Sequence, residues 1–149
     1  MSLISIPALP AAVNSGSLSA HTAISLWAAQ FRAGFALAPP IAVLTASSLV
    51  FCGWSAGGST TPAANLRGGR AGARLFYVAA ALTVAIVPFT LAFMGRTNEK
   101  LLGMEAMEVL SQSEGREGVE ALGRWVALNA VRSLLPLAGA VVAGVAVLG

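Results

Sequence analysis

Three apolar stretches of this chain are long enough to cross a bilayer, which takes about 20 residues. They run from about Gly34 to Trp54, from about Leu75 to Met94 and from about Val126 to Leu148. None contains an acidic residue, and each is bounded by charges or by turns rich in Gly, Ser and Pro. A fourth apolar piece, Leu3 to Val13, opens the chain and is too short to span. No basic run precedes it, as a cleaved signal peptide would require. The pattern predicts an all-α fold: a transmembrane helical bundle with three full spans and a short N-terminal half-span, in a four-helix architecture. Residues 1–149 are expected to form a single membrane domain.

The segment from Gly95 to Arg124 is polar but patterned. Leu101, Leu102, Met104, Met107, Val109 and Leu110 fall at roughly helical spacing. Ser111 followed by Glu114 reads as a capping box, which starts a new helix that runs into the last span. A polar helical hairpin over about 95–124 is therefore expected at one membrane face. Small residues four apart, Ala42 with Ala46, Ala81 with Ala85, and Ala140 with Gly144, mark where helices can approach closely. Pro39, Pro40, Pro88 and Pro136 lie in or at the edge of spans and free carbonyls that need other partners.

Composition agrees with a membrane chain. Hydrophobic residues make up 56% and charged residues 10%, against about 25% charged in a soluble domain. The net charge of +3 is spread over scattered basic residues, so nucleic acid is not an expected partner. Arg67, Arg70 and Arg74 stand without an acid between the first two spans, which places that loop, and with it the C-terminus, in the cytosol. The single cysteine, Cys52, rules out an internal disulfide or a CxxC redox pair. With one histidine and six carboxylates, a multi-ligand metal site is not expected.

Few residues are left to carry chemistry. Arg132 sits about two turns inside the last span, where a guanidinium is costly. Trp125, Asn129 and Arg132 are spaced i, i+4, i+7 and share a helix face. That face has two readings: a cradle for a flat oxygenated aromatic molecule, or a belt tryptophan with a snorkelling arginine. Thr97 and Asn98 follow the kinked second span. They either cap the next helix or, if the spans run antiparallel, meet Trp125 and Asn129 at one level. His21 is the one side chain with an ordinary pKa near neutrality, suited to a loop position or to general-base work.

PFTLAFMGRTNEKLL followed by RWVALNAVRSLLPLAG resembles the DUF1772 family of small membrane proteins, which includes fungal anthrone oxygenases. The matching pieces are Pro88, Phe89 and Thr90, then Thr97 and Asn98 with Leu101, then Trp125, Asn129 and Arg132, with Trp27 and Gly34 fitting more loosely. The opening SLISIPALP resembles only the second half of that family's first helix, so more apolar sequence is expected upstream. The resemblance implies a monooxygenase-type oxidoreductase of polyketide secondary metabolism, which converts an anthrone to an anthraquinone with molecular oxygen. It implies that Arg132 and Asn129 stabilise an enolate oxygen, that Trp125 stacks on the rings, and that Thr97 and Asn98 complete the site; the one base this chain offers for that chemistry is His21. No flavin, haem or metal motif is visible, so no cofactor is expected. The expected partners are an aromatic polyketide, oxygen, the lipid bilayer and a second copy of the chain. The setting is a multi-pass membrane protein of the endoplasmic reticulum or another endomembrane, if the source is fungal. The alternative is a non-catalytic member with a structural or assembly role.

Overall fold

The computed structural model describes residues 6–58 and 69–148, and those residues are helical with short turns between. The elements are α1 (Ala8–Asn14), α2 (Ala20–Gly58), α3 (Gly69–Val84), α4 (Ile86–Phe89), a π-helical turn (Thr90–Met94), α5 (Gly95–Glu105) and α6 (Gln112–Leu148). Three helical stretches are long and apolar enough to span a membrane: Ala20–Gly57, Ala71–Glu105 and Gln112–Leu148. The chain is thus a multi-pass helical bundle with a short N-terminal helix. Arg67, in the basic loop, and residues 1–5 of the opening segment lie outside the described residues.

Local chemistry explains the helix boundaries. α1 ends because Gly16 takes a φ of +74°, a left-handed turn that favours glycine. Its amide donates to the Val13 carbonyl at 2.9 Å. Ser19 precedes α2, and its hydroxyl accepts the Thr22 amide at 3.1 Å, an N-cap. The capping box forms as its sequence predicts. Glu114 accepts the Ser111 amide at 2.7 Å, and the Ser111 hydroxyl accepts the Glu114 amide at 3.3 Å. Because that box fixes the start of α6, residues 106–111 must reverse the chain, and α5 stops at Glu105. The predicted apolar stripe therefore divides. Leu101 and Met104 are buried on α5, while Met107 and Val109 stand exposed in the turn. Pro88 leaves the second span broken at Ala85 and wound as a π turn just beyond, two familiar responses to proline within a helix.

Packing divides the chain into two units. The second comprises Leu37–Phe89 and Val131–Gly149. Its helical runs, 37–58, 69–89 and 131–148, come to about 33, 31 and 27 Å at 1.5 Å per residue. Each is close to the roughly 30 Å of a hydrocarbon core. Leu37, Leu44, Phe51, Val78, Leu134 and Val145 all point outward. An outward apolar surface of this extent is a lipid-facing surface. Inside, glycines let backbones meet. A Cβ at Gly53 would lie 3.1 Å from the Ala73 carbonyl oxygen, and one at Gly139 would lie 3.0 Å from that of Ala79. The seam is displaced from the predicted one. A Cβ at Gly144 would meet nothing within 4 Å, and Ala81 and Ala140 are exposed, although Ala46 is buried. In an all-apolar helix the hydrophobic pattern does not select the face that packs, so shape selects it.

The first unit, Met1–Ala36 with Thr90–Ala130, has a different character. It holds all six carboxylates of the chain. Its core is Ile24, Trp27, Met94, Leu101 and Leu122, all fully buried. Gly118 lets α6 press onto α2, since a Cβ there would lie 2.7 Å from the Ile24 Cδ1.

Candidate functional site

In the first unit, α5 and the start of α6 form the predicted helical hairpin and run antiparallel. The Lys100 ammonium meets the Glu117 carboxylate at 2.7 Å, and one turn along, Thr97 shares a cleft with Ala121 and Arg124. That register places Thr97 beside Ala121 and Arg124, about a turn short of Asn129. α2 closes over the hairpin and is held at two points. The Arg32 guanidinium engages both Glu105 carboxylate oxygens, at 3.1 and 2.7 Å. The His21 Nε2 lies 2.9 Å from the Met107 carbonyl oxygen. A carbonyl only accepts, so Nε2 carries the proton there, and the lone pair of the neutral ring rests on Nδ1.

Between these helices lies an aromatic cluster. The Trp27 and Trp125 rings meet edge to face at 5.9 Å, and Phe31 stacks on Trp27 at 5.1 Å. Trp27 is 0% exposed and Trp125 6%. The Trp27 Nε1, the Trp125 Nε1 and the Asn98 Oδ1 are buried with no hydrogen-bond partner among the described residues. A buried polar atom without a partner costs roughly 1–3 kcal/mol. Two donors and an acceptor of the first unit thus keep their hydrogen-bonding capacity unused among the described residues.

The predicted residues divide as follows. Thr97, Asn98 and Trp125 are buried in this unit. Asn129 belongs to it as well, half-buried and engaged with other groups of the protein. Arg132 falls in the second unit, half-buried and likewise engaged. His21 is a residue of the first turn of α2, not of a loop. It lies six residues before Trp27, about 9 Å along the axis. Trp27 fits the family strings only loosely, and Phe31 and the Arg32–Glu105 pair lie outside them. The i, i+4 spacing of Trp27, Phe31 and Phe35 was the available signal for an aromatic ridge.

Comparison with known proteins bears on this cluster. A family model described as anthrone oxygenase matches residues 27–142, a stretch that opens at Trp27 and takes in Thr97, Asn98, Trp125, Asn129 and Arg132. His21 precedes it. The chain is similar to the anthrone oxygenase encC of Aspergillus fumigatus, 34% identical over 94% of this chain and 78% of that protein. It is similar to the anthrone oxygenase gedH of Aspergillus terreus, 33% identical over 94% of this chain and 84% of that protein. The noranthrone monooxygenase of Aspergillus flavus is 31% identical over 83% of this chain, which spans about half of that protein, 55%. No solved structure matches the chain.

Proposed function

Because this chain belongs to the anthrone oxygenase family, we propose that it oxidises a polyketide anthrone to an anthraquinone with molecular oxygen. The observation that carries the reading is the buried trio of open polar atoms, Trp27 Nε1, Trp125 Nε1 and Asn98 Oδ1, in an aromatic setting. Aromatic walls suit a flat tricycle. The indole N–H groups suit an oxygen that gains negative charge, and the amide oxygen suits a phenol hydroxyl.

The chemistry asks little more. Removing a proton from the central methylene of an anthrone gives an anthranolate whose charge rests on oxygen. Electrons pass from that anion to dioxygen, a C–O bond forms at the former methylene carbon, and a hydroperoxide results. Loss of water, with the last hydrogen of that carbon, leaves the second carbonyl. The sum is anthrone plus dioxygen to anthraquinone plus water. Trp27 and Trp125 stabilise the anthranolate oxygen, Asn98 orients the ring, and the Nδ1 of His21 takes the methylene proton. Packing among Trp27, Phe31 and Trp125 keeps water from the anion.

The test is oxygen uptake by the purified chain in detergent, with an anthrone added and the quinone quantified. One quinone formed per oxygen consumed, above the protein-free rate, supports the reading. Uptake no faster than anthrone autoxidation in the same detergent would falsify it and leave a non-catalytic member of the family.

A further inference from the structure

The cleft between α5 and α6 is a separate feature of the first unit. Its volume is about 260 Å³, and it is lined by Arg96, Thr97, Lys100, Glu117, Glu120, Ala121 and Arg124. Ligand pockets for drug-sized molecules start at about 300 Å³. The cleft is thus small for a tricyclic substrate and suited to a compact polar group. Its charges are partly spent. Lys100 and Glu117 close one end by pairing at 2.7 Å. Arg96, Arg124 and Glu120 make no ion pair among the described residues. Thr97 is 6% exposed and forms part of the floor. Ala121 beside it is equally buried and small, which is what leaves the hollow.

The surroundings say what fills it. Leu91 is 73% exposed and Phe93 57%, and both lie on the π turn just before Arg96. The chain passes there from a lipid-facing surface to charged residues within about one turn. Headgroups of a bilayer occupy such a boundary, with acyl chains beside the apolar residues and phosphates beside the cations.

We infer that this cleft holds the head of a phospholipid that bears a primary ammonium beside its phosphate. Arg96 and Arg124 take the phosphate oxygens, with the Thr97 hydroxyl as a further donor. A guanidinium offers planar paired donors that match phosphate. Glu120 takes the ammonium. A headgroup with phosphate alone leaves Glu120 uncompensated, and a trimethylated head offers it no N–H to accept. The acyl chains lie along Leu91 and Phe93. This inference does not depend on the oxygenase reading.

The test measures lipid bound to the delipidated full chain in detergent by native mass spectrometry. Phosphatidylethanolamine, phosphatidylglycerol and phosphatidylcholine are supplied in equal amounts. Phosphatidylethanolamine should be retained at least several-fold over the other two. Arg96→Gln with Arg124→Gln should abolish that retention, and Glu120→Gln should equalise the ethanolamine and glycerol lipids. All three residues are exposed, and unchanged helicity and melting of the variants check the fold. Should the double variant melt early, the single Arg96→Gln must still lower retention. Equal retention of the three lipids by the natural chain would overturn the assignment. So would retention by the arginine variants at the natural level. Displacement of the lipid by millimolar inorganic phosphate would show a free-anion site instead and would also overturn it.

Discussion

Trp27 and Trp125, 98 residues apart in sequence, meet edge to face at 5.9 Å, and neither indole N–H has a hydrogen-bond partner among the described residues. Structural tryptophans at this depth ordinarily find an acceptor. A pair that has found none combines a stability cost with an open chemical capacity, and the two are separable by experiment.

Trp27→Phe and Trp125→Phe each keep an aromatic ring and remove one donor. Turnover of the anthrone should fall by about 10²–10³ in each, the usual loss for one oxyanion donor. Melting temperature in detergent should change little, because the smaller ring's lost contacts are offset by removal of an unsatisfied N–H. Full activity in both variants would take the indoles out of the chemistry.

His21 has two roles that one substitution can split. Glutamine retains a donor for the Met107 carbonyl and has no basic nitrogen. His21→Gln should therefore resist proteolysis in the 106–111 turn as the natural chain does, while losing about 10²–10⁴ of its turnover. His21→Ala should lose both. A fully active glutamine variant would reduce His21 to a brace for the hairpin.

One pair of substitutions at Arg132 separates an oxyanion donor from a snorkelling cation. Arg132 shares a face of α6 with Trp125 and Asn129 and falls in the second unit. Arg132→Lys should keep most of the oxygen uptake, since either stem can carry a charge toward the interface. Equal loss in the lysine and alanine variants would return Arg132 to the active site, because lysine lacks the planar fork.

The helix seam of the second unit is tested by two glycines five residues apart. A Cβ at Gly139 would press on the Ala79 carbonyl oxygen at 3.0 Å and the Thr83 hydroxyl at 3.2 Å, whereas one at Gly144 meets open space. Gly139→Val should destabilise by about 1–3 kcal/mol, the usual cost of overpacking. Gly144→Ala should stay within about 0.5 kcal/mol. Thermal unfolding in detergent reads both, and a reversed order would put the seam where the small-residue spacing predicts it.

Several features of this protein are decided by its sequence. The three spans follow from composition, since an uninterrupted apolar run of bilayer length has no stable alternative in water or in lipid. The capping box of Ser111 and Glu114 follows from spacing, because its bonds close within four residues. The resemblance carried by Thr97, Asn98, Trp125, Asn129 and Arg132 is legible for the same reason: it is written in short local strings. The tertiary structure alone decided how each helix is rotated about its own axis. That rotation buries Trp27 against Trp125, sets Gly139 rather than Ala140 against Ala79, and opens a cleft over Thr97 and Ala121. A water-soluble helix announces its inner face by one apolar stripe. A helix that is apolar on every side announces none, so the inner face is the one whose shape fits its neighbours, and neighbours far apart in sequence are known only once the chain has folded.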